Sequence, residues 1–431
     1  MENLKNKNIL VYGTGLSGSS AVSFLSKCGA NVFVYDDNNI CFFSEAIIVK
    51  NFQEIKNYKL DLVVLSPGVQ VIGNKNIELL DELKIKYISE FALGFEYSKG
   101  TKICITGTNG KTTTVNLLNN IFSLSKKSVF LCGNTDTPIT KICTQTHKNS
   151  FVICEVSSFA LENFNNCVPS CSAILNITED HLIRHITFEN YRQTKLEITK
   201  HQTKNEYFVC EDNFDIKTNA QVINYSLNDV VNGTYVKNGF IFYKGKKIIA
   251  VNKLQIKGEK NLLNVLCAVT IAKLYKISNA KIVKTLKNFA PLKNRLEKVA
   301  EIDGIIYIND SKATNPDSTI CAINTFIHPI ILLLGGSDKG YNYDVIFQNY
   351  GTIKKIIAFG AVRDKIVECA TKNNFFEILK TTTMKEAVLL AKNMALSGDI
   401  ILLSPASASF DEFSSYKHRG EVFCDIVRNI K

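Results

Sequence analysis

The sequence predicts an α/β protein of three domains with mainly parallel sheets. Three observations carry that expectation. Apolar runs of strand length pass through glycine turns into helical spacing, and this unit recurs in three successive blocks. Between the second and third blocks, residues 205–250 carry alternating patterns such as "GFIFYKGKKIIAV", which read as antiparallel strands added to the second block. Boundaries fall near 90, after the helix-like "NIELLDELKI", and near 290, at "NFAPLKNR". The domains are then 1–90, 91–290 and 291–431, joined by short hinges because no long low-complexity linker separates them.

Composition narrows the function classes. A chain of 431 residues that is 45% apolar can build several cores. No apolar run approaches the roughly 18 residues a bilayer span needs. The start, "MENLKNKNILVYG", enters a strand pattern without a signal-peptide apolar region. Thirteen scattered cysteines read as free thiols of a reducing cytosol, and Cys167 with Cys171 lacks the second pair a zinc site would use. The net charge of +11 comes from lysines spread over the whole chain, with no nucleic-acid motif, so it implies only attraction for anionic substrates.

The first block opens with Gly13, Gly15 and Gly18 in G-x-G-x-x-G spacing after a strand, and Asp36 ends the next strand. That pattern suits a dinucleotide such as NAD, another nucleotide, or simply tight packing. The second block opens with "KICITGTNGKTTT", a strand, a glycine turn and a helix start. Backbone N–H groups of such a turn cradle phosphate, the helix N-terminus favours the anion, and Lys111 adds a point charge. Because Ile105 stands where a strict Walker motif has glycine, what remains is a shortened G-x-x-G-K-T from Gly107 to Thr112. Thr112 or Thr113 would ligate Mg²⁺, a cation that prefers oxygen.

Further strand ends add carboxylates. Glu155 closes the run "FVIC", and "NITEDHL" offers Glu179, Asp180 and His181, each of which could equally cap a helix. In "ENYRQTKLEITK", Tyr191, Lys195 and Ile198 share one helical stripe. From the residues alone Lys195 reads as a stem on the core with its ammonium in water. The third block places Asp310, Lys312 and Thr314 past one strand, Lys339 past another, and Ser404, Ser407 and Ser409 past a third. Cations and hydroxyls gathered on three loops describe a pocket for a small carboxylate-bearing molecule.

Taken together, "GTNGKTT", "EVSSFALE", "NITEDHL", "YRQTKLEI", "NDSKATN" and "SPASASFDEF" resemble the Mur ligases of peptidoglycan synthesis over essentially the whole chain. The resemblance implies an N-terminal Rossmann-like UDP-binding domain, a central P-loop ATPase domain with a parallel sheet plus a smaller antiparallel sheet, and a C-terminal Rossmann-like domain. It implies ATP-dependent addition of D-glutamate to UDP-N-acetylmuramoyl-L-alanine by a cytoplasmic monomer, without nucleic acid or membrane. Leu16, Ser17, Asp36, Ser66, Pro67, Gly68 and Asn134 would then hold the nucleotide-sugar. Gly107, Thr108, Asn109, Gly110, Lys111, Thr112 and Thr113 would hold the ATP phosphates, with Asn261, Asn264, Arg295 and Asp310 as further ATP contacts. Lys111, Glu155, His181 and Lys195 would be catalytic. Thr112, Glu155, His181 and Lys195 would serve two Mg²⁺, the lysine as a carbamate formed with CO₂. Lys312, Thr314, Lys339, Ser409, Phe410 and Tyr416 match the D-glutamate pocket.

Three stretches depart from the family pattern. Lys260 replaces a histidine before Asn261, Asp37-Asn38 replaces a Thr-Arg pair at the uracil, and Thr135-Asp136 replaces Ile-Gly near the substrate's diphosphate. None touches the phosphate-loop or lysine motifs, so changed affinity is expected before lost activity. The alternatives are a sister ligase with another amino-acid acceptor and a nucleotide-binding homologue with reduced catalysis.

Overall fold

In the computed structural model, which describes residues 2–38, 43–348 and 350–430, the glycine turns do separate strands from helices. The first sheet comprises β1 (Asn8–Tyr12), β2 (Asn31–Tyr35), β3 (Ile47–Ile48), β4 (Leu62–Leu65) and β5 (Tyr87–Ser89), all parallel, in the order β3-β2-β1-β4-β5. The second comprises β6 (Thr101–Thr106), β7 (Ser128–Gly133), β8 (Ser150–Glu155), β9 (Cys171–Ile174), β10 (Tyr207–Glu211) and β11 (Gln221–Tyr225). It is also parallel throughout, in the order β11-β10-β9-β6-β8-β7. The central strands are apolar on both faces, as a sheet covered by helices on both sides demands.

The expectation of antiparallel strands throughout 205–250 needs correction. Tyr207–Glu211 and Gln221–Tyr225 extend the parallel sheet. Only β12 (Thr234–Lys237), β13 (Phe240–Tyr243) and β14 (Lys246–Ala250) form a separate antiparallel sheet. Alternation of apolar and polar residues reports one solvated face but not strand direction. The nine residues 212–220 return the chain to the same end of the sheet.

The third large sheet holds β15 (Glu297–Ile302), β16 (Ile305–Asn309), β17 (Ile330–Gly335), β18 (Ile353–Phe359), β19 (Ile378–Lys380) and β20 (Ile400–Leu403). Its order is β15-β16-β20-β17-β18-β19, with β15 antiparallel and the rest parallel. Two apolar clusters cover its faces, one around Leu332 and Leu334 and one around Leu333 and Phe423.

By contacts the chain divides into two compact units, residues 1–253 with 263–287, and residues 254–262 with 288–431. The first two sheets therefore lie in one unit. One apolar cluster runs from Val11 and Val34 of the first sheet to Cys104 and Val152 of the second. Glu90, fully buried at the start of helix Glu90–Tyr97, sits inside that join. Thr140 donates its backbone N–H and its hydroxyl to Glu90 Oε1 at 2.9 and 2.6 Å, and that hydroxyl lies 2.8 Å from Ser20 Oγ of helix Leu16–Lys27.

Burial pushes the Glu90 carboxyl up from 4.5 to about 7, and the two bonds from Thr140 offset it only in part. The folded chain then holds a proton that the unfolded chain releases. Its contribution to stability is complete below pH 4.5 and is lost as pH rises to about 7. Glu90→Gln, which cannot ionise, is expected to remove that loss, by about 3 kcal/mol at most. Denaturant titrations of both chains at pH 5 and pH 8 check it: their stabilities should differ more at pH 8.

Candidate active site of the first unit, with a polar cluster in the second

Each functional segment of the second sheet leaves the carboxyl end of a strand. The phosphate loop follows β6, Asn134 follows β7, Glu155 ends β8, and Asn176 to His181 follow β9. Since β6 lies between β8 and β9, these segments converge at one edge, where open α/β sheets bind ligands.

The loop turns because Gly110 adopts φ +85°, and a side chain there would meet Asn264 Oδ1 at 2.2 Å. Asn109 N–H donates to Asn176 Oδ1 at 2.9 Å, and Thr108 N–H to Asn176 O at 2.9 Å. The Thr108 hydroxyl lies 3.0 Å from Thr178 O and 3.1 Å from Tyr191 Oη. Lys111 reaches back to the carbonyls of Gly107 and Thr108 at 2.8 and 2.7 Å. Of the two threonines offered for a metal, Thr113 is buried and Thr112 half-buried.

Lys195 departs from the reading that left its ammonium in water. Tyr191, Lys195 and Ile198 do form one buried stripe, but Lys195 is only 1% exposed. Its Nζ donates to Gly107 O at 2.9 Å and lies 4.7 Å from the Tyr191 ring centre. The Gly107 carbonyl thus takes both Lys111 and Lys195. Burial pushes the Lys195 amine well below the ordinary lysine range, Lys111 lowers it further, and Asp180 opposes them.

Glu155 is 2% exposed. Its Oε1 accepts from Asn134 Nδ2 at 2.9 Å, while its buried Oε2 has no hydrogen-bond partner among the described residues. A buried carboxylate oxygen without a donor is costly unless a cation claims it. His181 has φ +55°, is one-third exposed, stands edge-on to Phe159, and has Nε2 3.6 Å from Asp180 Oδ2. Among the described residues no three His, Cys, Asp or Glu side chains gather into a metal cage.

In the first sheet, Gly13 takes φ +90°, and a side chain on Gly18 would fall 1.8 Å from Gly13 O. Asp36 Oδ2 accepts the Thr14 N–H at 2.6 Å and the Thr14 hydroxyl at 2.9 Å, which pins the glycine turn. Of the departing pair, Asp37 is held by Tyr12 Oη at 2.7 Å, and Asn38 N–H donates to Asp36 Oδ1 at 3.0 Å. Leu16 is 59% exposed, Ser66 is buried, and Gly68 is exposed. Asn134 and Asp136 are both exposed.

In the second unit Lys312 Nζ sits 3.8 Å over the Tyr416 ring, so those two are brought together. Ser409 is 2% exposed, Phe410 is 73% exposed, and Lys339 lies 5.9 Å from the Tyr341 ring. Thr314 and Arg295 are half-buried. Burial pushes the Asp310 carboxyl up to about 7, although Ser404 Oγ and Leu296 N–H donate to it at 2.9 and 3.2 Å. Asn261 Nδ2 donates to Lys257 O at 2.8 Å in this unit, whereas Asn264 belongs to the first.

Sequence reasoning missed Arg419, which is fully buried. Its guanidinium binds Ser311 Oγ, Ser311 O, Ser407 O and Ala408 O at 2.9–3.0 Å, tying the loop after β16 to the loop after β20. The available signal was a cation on the same helical face as Phe423 and Val427.

Comparison with known proteins matches residues 105–272 to the Mur ligase middle domain and residues 294–407 to the Mur ligase, glutamate ligase domain. The chain is 37% identical to the UDP-N-acetylmuramoylalanine–D-glutamate ligase of Thermoanaerobacter sp. (strain X514), covering 99% of both chains. It is also 37% identical to the ligase of that name from Clostridioides difficile (strain 630), covering 99% of this chain and all of the relative. Among solved structures, a pseudomurein peptide ligase type C from Methanothermus fervidus aligns with TM-score 0.64 at 19% identity, over 99% of this chain and 100% of that one. The UDP-N-acetylmuramate-alanine ligase MurC from Thermotoga maritima aligns with TM-score 0.63 at 17% identity, over 98% and 100%. At those identities the structural matches speak for the fold alone.

Proposed function

The chain belongs to the Mur ligase family, among its UDP-N-acetylmuramoylalanine–D-glutamate ligases, and from that premise we propose how its residues divide the work. It is an ATP-dependent ligase of peptidoglycan precursor synthesis that adds D-glutamate to UDP-N-acetylmuramoyl-L-alanine. The observation that most supports a phosphoryl-transfer mechanism is the meeting of Lys111 and buried Lys195 on the carbonyl of the phosphate loop.

In this reading the alanyl carboxylate attacks the γ-phosphorus of ATP, the bond to the bridging oxygen breaks, and ADP leaves. The resulting acyl phosphate has the leaving group that a carboxylate lacks. The D-glutamate amine attacks its carbonyl carbon, the tetrahedral adduct expels phosphate, and the amine loses a proton to leave an amide. Lys111 and the Gly107–Thr113 loop orient the triphosphate. Asn261, Asn264, Arg295 and Asp310 hold the rest of the nucleotide, and Leu16, Ser17, Asp36, Ser66–Gly68 and Asn134 hold the nucleotide-sugar. Lys312, Thr314, Lys339, Ser409, Phe410 and Tyr416 receive D-glutamate.

Thr112, Glu155, His181 and Lys195 would hold two Mg²⁺, which when bound offset the repulsion between carboxylate and triphosphate. The unpartnered Glu155 Oε2 supports that assignment. Lys195 contributes as a carbamate, R–NH₂ plus CO₂ giving R–NH–COO⁻ and H⁺, a reaction open only to the neutral amine that burial favours. We read the chain as three domains, 1–90, 91–290 and 291–431, and as a cytoplasmic monomer. No helix among the described residues is long and apolar enough to cross a membrane, and the described cysteines are free.

Phosphate release from ATP tests the reading. It is expected to require both UDP-N-acetylmuramoyl-L-alanine and D-glutamate. Release that prefers lysine or meso-diaminopimelate would move the chain to a sister ligase.

A further inference from the structure

Arg184 joins segments that the proposed mechanism treats separately. It lies on the short helix Leu182–His185, three residues past His181. Its guanidinium grips Glu162 with a fork, Nε to Oε1 at 2.7 Å and Nη2 to Oε2 at 2.6 Å. The remaining donors cross to the first sheet, Nη1 to Pro67 O at 2.9 Å and Nη2 to Val69 O at 2.6 Å. Those carbonyls flank Gly68 in the loop after β4. The guanidinium also lies 4.0 Å from the Phe159 ring centre. Arg184 and Glu162 side chains are only 12% and 10% exposed.

The other face of the same loop rests on the first glycine turn: a side chain on Gly13 would meet Ser66 Cβ at 2.7 Å and Val69 at 3.0 Å. Behind Arg184, His185 Nε2 lies 3.1 Å from Ser158 Oγ, and its Nδ1 lies 3.7 Å from Glu162 Oε1. The helix is bracketed by His181 at φ +55° and Ile186 at φ +68°, a conformation a β-branched residue adopts only when its surroundings impose it. One guanidinium therefore fixes the Ser66–Gly68 loop against both strand-end segments, 155–162 and 180–185. A nearly buried ion pair is a poor source of stability but a precise spacer.

We propose that Arg184 is a positioning residue that sets the span between the nucleotide end and the reacting carboxylate of the nucleotide-sugar. The inference rests on the ligase reading above. A substrate gripped at the first sheet presents its carboxylate to the phosphate loop only if the two loops keep their separation. The Arg184–Glu162 fork maintains it.

The test is steady-state kinetics on the full chain with each substrate varied in turn. Arg184→Gln is expected to raise KM for UDP-N-acetylmuramoyl-L-alanine by roughly 10- to 100-fold, with KM for ATP within about twofold of wild type. Arg184→Lys, which cannot fork a carboxylate and reach two carbonyls, should recover only part of the loss. Glu162→Gln, which keeps the arginine but weakens its anchor, should show the same selective rise on a smaller scale, and serves if Arg184→Gln does not fold. An unchanged KM for the nucleotide-sugar, or equal rises for it and ATP, overturns the inference. An inactive wild type would overturn the ligase reading and this one with it.

Discussion

Lys195→Ala is expected to lower kcat by at least ~10²–10³-fold and to regain part of it when formate or acetate is added. The loss follows from where the amine sits. Its Nζ shares the Gly107 carbonyl with Lys111 and is cut off from water, so an ammonium there repels the neighbouring cation at close range. Both effects favour the neutral amine, the form that adds CO₂. In the proposed reading a carbamate would replace that repulsion with attraction, an anion standing next to Lys111 beside the phosphate loop. Truncation to alanine removes the anion and leaves space that a short carboxylate can enter. Rates measured across a series of small acids check it. Recovery should fall as the acid outgrows the space, and chloride should not substitute. A variant as active as wild type without any added acid would end the carbamate role.

Much of this candidate site is legible in the sequence, for a physical reason. A phosphate loop is local: its glycines, lysine and hydroxyls must lie within a few residues, so "GTNGKTT" announces itself. Strand ends are nearly as legible, since an apolar run that stops at Glu155 places that carboxylate on the binding edge of any parallel sheet. Lys195 was legible only as a stripe. Helical spacing said which face it shares with Tyr191, but whether the ammonium reaches water depends on Gly107, 88 residues away. Arg419 and Arg184 were illegible for the same reason in stronger form. Each binds backbone carbonyls, which every residue owns, so no sequence pattern marks the acceptor. Strand direction in 207–225 was also lost, because alternation is blind to polarity.

The two units differ in how buried charge is handled. In the first, Glu90 Oε1 is bonded by Thr140 and Glu155 Oε1 by Asn134, while Glu155 Oε2 meets no donor among the described residues. In the second, Asp310 receives Ser404 and Leu296, and Arg419 is satisfied by carbonyls and a hydroxyl. Saturated groups fix loops in place. An unsaturated one at the edge of a sheet is where chemistry is expected to act.

Glu155→Gln separates those two roles in one substitution. The amide oxygen can still accept from Asn134, so the loop after β7 should stay in place. What changes is the other atom, a buried carboxylate oxygen that meets no donor among the described residues. Replacing it with a neutral amide removes a desolvated charge, and the melting temperature in Mg²⁺-free buffer should hold or rise. Activity should move the opposite way. An amide is a far weaker ligand for a hard cation than a carboxylate, and kcat is expected to fall by roughly 10²–10³-fold. The Mg²⁺ concentration giving half-maximal rate should rise with it. Thermal melts and Mg²⁺ titrations on the same preparation decide the point. Loss of activity with a parallel loss of stability would make Glu155 a structural carboxylate. Stability kept while Mg²⁺ dependence shifts would make it a ligand, because the oxygen exchanged is the one idle in the protein's own hydrogen bonding.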